Sequence, residues 1–156
     1  PLEASRDDDP ERGMLAVALR VLLAVHGGVF AALAVPPRRL PSGDAVAPNW
    51  DARAVLGTER ARVLAGCRIA FSRVVPLGAP PAEHPLWRLA ERLGAACATA
   101  VGAGTTHVVA APGPPTDKVL AARAAGAAVV SPGWLQCSAT LWRRADEAHF
   151  SAQIEG

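Results

Sequence analysis

Lysine is almost missing from this 156-residue chain: Lys118 is the only one among sixteen basic residues. The composition has drifted toward alanine, arginine, glycine and proline, so a retained ammonium marks a position to examine. Cysteine is also sparse. Cys67, Cys97 and Cys137 are an odd number, far apart, with no CxxC pair, which argues against a zinc site and against a disulfide framework. Each lies among apolar neighbours and reads as a small core residue in a reducing compartment. A net charge of +2 is too small to argue for direct nucleic-acid binding. It is unevenly spread: residues 1–50 carry five basic against six acidic groups, and residues 51–156 eleven against eight, so an anionic ligand is expected in the later part. The first residues show neither an initiator methionine nor a signal-peptide pattern, and the chain is expected to be a piece of a longer protein.

One long apolar run is present, from Met14 to Val35, about the length that spans a bilayer. Arg20 would then sit inside the span, where a charge costs ~2.5–3.5 kcal/mol on lenient scales, and His26-Gly27-Gly28 interrupts the run. Leu15, Leu19, Leu22, Val29, Phe30 and Leu33 fall on roughly helical spacing. The spacing predicts a helix over 14–34, buried or packed on a partner, and no membrane association.

Four regions follow. Residues 1–13 form a flexible acidic lead with Asp7-Asp8-Asp9-Pro10, 14–35 the apolar helix, 36–50 a Pro-rich linker, and 51–152 a domain with a leading helix at Asp51 to Leu64. From Cys67 the pattern alternates between strand and helix. Strands are expected at 67–72, 95–99, 106–110 and 127–130. Pro85 stands at a first helical turn before Leu86, Leu89, Ala90 and Leu93, with Gly94 ending the helix. Thr116 is a good N-cap for the next helix, which stops at Gly126, and Ser131-Pro132 opens the last one. Short strands with crossover helices imply an α/β domain with a parallel sheet covered on both faces.

Two segments are the most specific: Thr105-Thr106-His107-Val108-Val109 and Pro132-Gly133-Trp134-Leu135-Gln136-Cys137-Ser138. With them, about Glu59 to Phe150 resembles a BRCT domain. The run Leu64-Ala65-Gly66-Cys67-Arg68-Ile69-Ala70-Phe71-Ser72-Arg73-Val74-Val75-Pro76 is similar to the BRCT domain ending RNA polymerase II C-terminal-domain phosphatases, especially the plant type. So are His84-Pro85-Leu86-Trp87, Thr116-Asp117-Lys118-Val119 and Leu141-Trp142-Arg143-Arg144-Ala145. The helix containing Leu22 to Phe30 resembles what joins the catalytic and BRCT domains there, so residues 14–35 are expected to end an upstream catalytic domain. The resemblance implies a BRCT fold: a four-stranded parallel sheet flanked by three helices, with an N-terminal helical extension. It also implies a nuclear protein serine/threonine phosphatase whose magnesium-dependent aspartyl nucleophile lies in a DxDxT motif. Asp7-Asp8-Asp9-Pro10-Glu11 lacks the threonine and the apolar strand that precedes such a motif. Neither a catalytic residue nor a cofactor is therefore expected in this chain, with magnesium belonging to the catalytic domain.

In phosphopeptide-binding BRCT domains a Ser or Thr ending the first strand, the adjacent backbone amide and a Thr-x-Lys at a helix start grip one phosphate. Ser72, Thr116 and Lys118 match those positions. Arg73 stands where such binders have glycine, and it either blocks the approach or adds a guanidinium contact. The expected partners are phosphorylated polymerase repeats or other phosphoproteins, and transcription factors. A BRCT scaffold of DNA repair or replication is the alternative. Trp134, His107 and Phe71 are expected in the core, with His107 holding a structural hydrogen bond and no carboxylate beside it in its motif; Trp87 and Trp142 are expected either partly exposed or packed between helices. Cys67 and Arg73 have the spacing of a cysteine-phosphatase loop, but the residues between read as a strand. Gly102-Ala103-Gly104 precedes a strand, where a dinucleotide site needs a helix.

Overall fold

In a computed structural model, residues 13–36, 38–39, 41–42, 45–46 and 51–154 are described. The acidic lead with Asp7-Asp8-Asp9 and part of the Pro-rich linker lie outside the described residues. The chain divides into two compact units, residues 1–59 and 60–156.

The first unit contains helix α1 (Met14–Leu33). Strands β1 (Arg38–Arg39) and β2 (Ala45–Val46) pair antiparallel in the segment read as a Pro-rich linker. Helix α2 (Ala52–Ala61) begins in this unit and crosses into the second. Gly28 of α1 lies against the Val55 side chain, which a Cβ at 28 would strike. Of the two expectations for α1, burial within this chain does not hold and packing on a partner stays open: within the helix only Val17 is buried, and Leu15, Leu19, Leu22, Leu23 and Phe30 are each more than half exposed. By length and composition alone this 20-residue helix suffices to cross a membrane.

The second unit is built on strands β3 (Arg68–Ser72), β4 (Ala96–Ala98), β5 (His107–Ala110) and β6 (Ala128–Val130). They form one parallel sheet in the order β4-β3-β5-β6. Each parallel step requires a crossover. Helix α3 (Pro85–Arg92) connects β3 to β4, α4 (Asp117–Ala124) connects β5 to β6, and α5 (Pro132–Leu141) follows β6. The BRCT architecture expected from sequence is therefore present.

Alternate side chains of the central strands serve opposite faces. Ile69, Phe71, Val109 and Val130 join Leu64, Trp87, Leu93, Trp134 and Leu135 in the larger core beneath α3 and α5. Ala70, Val108 and Ala110 meet Val119 and Ala122 of α4 on the other face. Burial on both faces explains why these strands are apolar runs rather than alternating ones. Trp134 is fully buried and donates its indole N–H to the Ala145 carbonyl at 2.9 Å. Trp87 follows the packed alternative: it is buried, stacked on Phe71 and bonded through its indole N–H to Glu91.

The helix ends follow local chemistry. His84 Nδ1 accepts from the Leu86 amide at the start of α3, where Pro85 occupies the first turn. Ser131 occupies the N-cap position of α5 without a side-chain cap bond. Gly94, at φ +90°, turns the chain out of α3 beneath the carbonyl of Ala61.

Gly94→Ala would combine left-handed strain with a collision against that backbone carbonyl. It should cost at least ~2 kcal/mol. Gly57, inside α2 with open space around it, should instead gain up to ~1 kcal/mol as Gly57→Ala. Thermal unfolding of the two variants should shift in opposite directions.

Candidate functional site

Ser72 is the last residue of β3 and is buried. Thr116 is the N-cap of α4, in extended geometry, with its Oγ1 accepting from the Val119 amide at 3.3 Å. The fold brings these positions together, 44 residues apart in sequence, with the two hydroxyl oxygens 2.7 Å from each other. Lys118, in the first turn of α4, donates from Nζ to the Phe71 carbonyl at 3.1 Å. Two hydroxyls and an ammonium thus converge at the carboxyl edge of the parallel sheet, the edge at which open α/β sheets bind ligands.

Each hydroxyl carries a single proton. Whichever of Ser72 and Thr116 donates across their contact, the other keeps an O–H free to donate outward. The ammonium has three protons and one is committed to Phe71. The first-turn amides of α4 add donors and partial positive charge. Asp117 opposes an anion here, since its exposed carboxylate lies in the same turn. The arrangement is a donor-rich recess suited to an oxyanion and lacks a nucleophile with a base beside it.

Arg73 is tied to the loop after β5. It adopts φ +57°, the left-handed conformation that glycine takes readily, at the position where the resemblance led glycine to be expected. Its guanidinium Nη2 donates to the Ala111 carbonyl at 3.0 Å. The group lies over Gly113, where any Cβ would crowd Nη1. Gly113 in turn donates its amide to the Gln153 carbonyl. Arg73 therefore braces the loop from β5 to Thr116. Sequence reasoning missed Ala111, Gly113 and Gln153; the one signal was a glycine set between Pro112 and Pro114.

His107, Trp134 and Phe71 are all buried. The His107 ring stacks on Trp134 with centroids 4.6 Å apart. Its Nδ1 meets Thr106 Oγ1 at 2.7 Å and its Nε2 meets Glu147 Oε1 at 3.2 Å. A carboxylate absent from the local motif is thus supplied from 40 residues away, and Arg144 Nε donates to the same oxygen at 2.6 Å. Burial pushes the imidazole below its usual 6.5, against the opposing pull of Glu147. Desolvation alone would raise the Glu147 carboxyl, but its bonds to Arg144, its own backbone and His107 hold it below the ordinary value.

Cys97 and Cys67 are poor nucleophiles. Burial, assisted by Glu91, pushes the Cys97 thiol up to about 12, and burial also raises Cys67. Cys67 precedes β3 and Arg73 follows it, placing them roughly 15–20 Å apart along an extended strand. They cannot share a phosphate loop. Among the described residues no group of three His, Cys, Asp or Glu side chains could hold a metal.

Residues 59–138 match the family model of the BRCA1 C Terminus (BRCT) domain. The chain is 44% identical to RNA polymerase II C-terminal domain phosphatase-like 3 of Arabidopsis thaliana over 147 residues, covering 94% of this chain but 11% of that protein. Among solved structures, the fission yeast RNA polymerase II CTD phosphatase Fcp1 bound to beryllium fluoride superposes with a TM-score of 0.70 at 27% identity, covering 88% of this chain and 36% of that one. BRCT1,2 of Rad4 in complex with a Crb2 phosphopeptide matches at TM-score 0.50 and 18% identity over 58% of this chain and 48% of that one, a likeness of fold alone.

The buried imidazole makes stability depend on pH. The unfolded chain protonates this histidine near 6.5, whereas the folded one does so only at lower pH. The unfolded state therefore binds more protons in between, and stability falls as pH drops from 6.5 through the folded value. Glu147 adds a second loss in the same direction below its usual 4.5. Melting temperature should fall between pH 7.5 and 5.5, with a shallower slope in His107→Gln.

Proposed function

This chain belongs to the BRCT domain family, and from that premise we propose that it is a non-catalytic recruiting module that grips a phosphorylated serine or threonine of a protein partner. The observation carrying this reading is the convergence of Ser72, Thr116 and Lys118 on one recess. A phosphate there would receive a hydroxyl proton, two ammonium protons and first-turn amides, charge-assisted bonds worth ~1.5–3 kcal/mol each. Arg73 supports the reading by preserving the backbone turn while directing its side chain to Ala111.

The longer protein is proposed to be a nuclear phosphatase of the polymerase tail, like the relatives described above, with its magnesium-dependent chemistry outside this segment. The chain spans about a ninth of the Arabidopsis relative, so that activity belongs to the proposal. The partners that fit are phosphorylated polymerase repeats, other phosphoproteins or transcription factors. The rival reading, a DNA-repair or replication scaffold, is less well supported, because the phosphatase-like relative is 44% identical over nearly the whole chain.

Calorimetric titration with phosphorylated and unphosphorylated heptad peptides tests the recess. The phosphorylated peptide should bind more tightly, and Lys118→Gln should weaken it by ~10- to 150-fold while leaving the melting temperature nearly unchanged. Equal affinity for the two peptides would refute phosphate recognition.

A further inference from the structure

β6 is an edge strand of the parallel sheet, and the C-terminal segment runs along it. The Ser131 amide donates to the Phe150 carbonyl at 2.7 Å and the Ala152 amide to the Val129 carbonyl at 3.2 Å, with Val130 and Ser151 bridged antiparallel. The segment then reaches the loop after β5. There Gly113 donates its amide to the Gln153 carbonyl at 3.1 Å and is bridged in parallel with Ile154. Ala152 and Ile154 pack against the small core that includes Val119, the residue whose amide Thr116 accepts.

The loop leading to Thr116 is thus held from two sides. On one side the Ala111 amide donates to the Ser72 carbonyl at 3.1 Å, and the Ala111 carbonyl accepts from Arg73. On the other stand Gln153 and Ile154. Only Pro114 and Pro115 separate Gly113 from Thr116. Their rings fix φ at about −65°, and consecutive prolines make a stiff spacer. A shift at Gly113 is therefore passed on to Thr116 rather than absorbed. Gly113 itself, at φ +127°, has the freedom of glycine and is the point at which an unpinned loop would pivot.

Resting on the phosphate reading above, we propose that Gln153 and Ile154 form a main-chain latch that positions Thr116 for the phosphate. The recess grips fully only while this segment is docked on Gly113. Gln153 and Ile154 are positioning residues: they act through Gly113 and the two prolines, and phosphate affinity depends on a segment outside the recess.

Truncation after Ala152 tests the latch in the otherwise complete chain. It removes the Gln153 carbonyl and Ile154 but keeps the bonds that Phe150 and Ala152 make to the edge of β6. In fluorescence anisotropy, affinity for a phosphoserine peptide should fall about tenfold, the effect of one misplaced charge-assisted hydrogen bond. Affinity for the same peptide without phosphate should not change. Amide hydrogen exchange should accelerate at Gly113 and Val119 while Val108 in β5 keeps its protection, a pattern that general loosening would not give. Gln153→Ala and Ile154→Val should both match the intact chain, because the first keeps the main-chain carbonyl and the second the apolar contact. If truncation also exposes Val108 to exchange, Ile154→Ala in the complete chain decides by the same readings. Undiminished phosphopeptide affinity alongside fast exchange at Gly113 would overturn the latch and leave the phosphate reading standing. So would a tenfold loss in Gln153→Ala, which would assign the effect to a side chain. An intact chain that binds phosphorylated and plain peptides equally would overturn the phosphate reading and the latch together.

Discussion

A parallel sheet of four short strands cannot leave either face in water, and this requirement organises the second unit. Every neighbouring strand must be reached by a crossover, and each crossover helix must bury a face on the sheet. α3 and α5 cover one side with large side chains, and α4 covers the other with small ones. The same requirement brings the end of β3 and the start of α4 to one edge. The meeting of Ser72 and Thr116 is thus a by-product of topology, and Lys118 follows because it lies on the first turn of the helix that Thr116 caps.

The recess is held by backbone as much as by side chains. Thr116 is fixed by its cap bond, Ser72 by strand pairing and Lys118 by a main-chain carbonyl. Arg73 accepts a backbone conformation unfavourable for any residue with a Cβ and offsets it by bracing the loop through Ala111. A glycine would supply the turn without the brace. The arginine supplies both, at a conformational cost of ~1–2 kcal/mol.

Much of this architecture was legible because period and punctuation agreed. Pro85, Thr116 and Pro132 open helices, Gly94 and Gly126 end them, and the apolar runs between are strands. Ser72, Thr116 and Lys118 could be named through family resemblance, since nothing local reveals that positions 44 residues apart touch. What was left open shares a cause. Whether α1 is covered depends on partners that periodicity does not identify, and its apolar residues proved largely exposed. The destination of the Arg73 side chain depended on Ala111 and Gly113, and the partner of His107 on Glu147; all are long-range contacts that leave no local signature.

The match to the family model ends at residue 138, yet the fold is not finished there. The carbonyl that receives the Trp134 indole belongs to Ala145, the carboxylate against His107 to Glu147, and the acceptor of the Gly113 amide to Gln153. Anyone trimming this polypeptide to its recognisable motif would strip three polar groups of their counterparts, two of them on buried side chains. The useful cutting point lies beyond the stretch by which the domain is recognised.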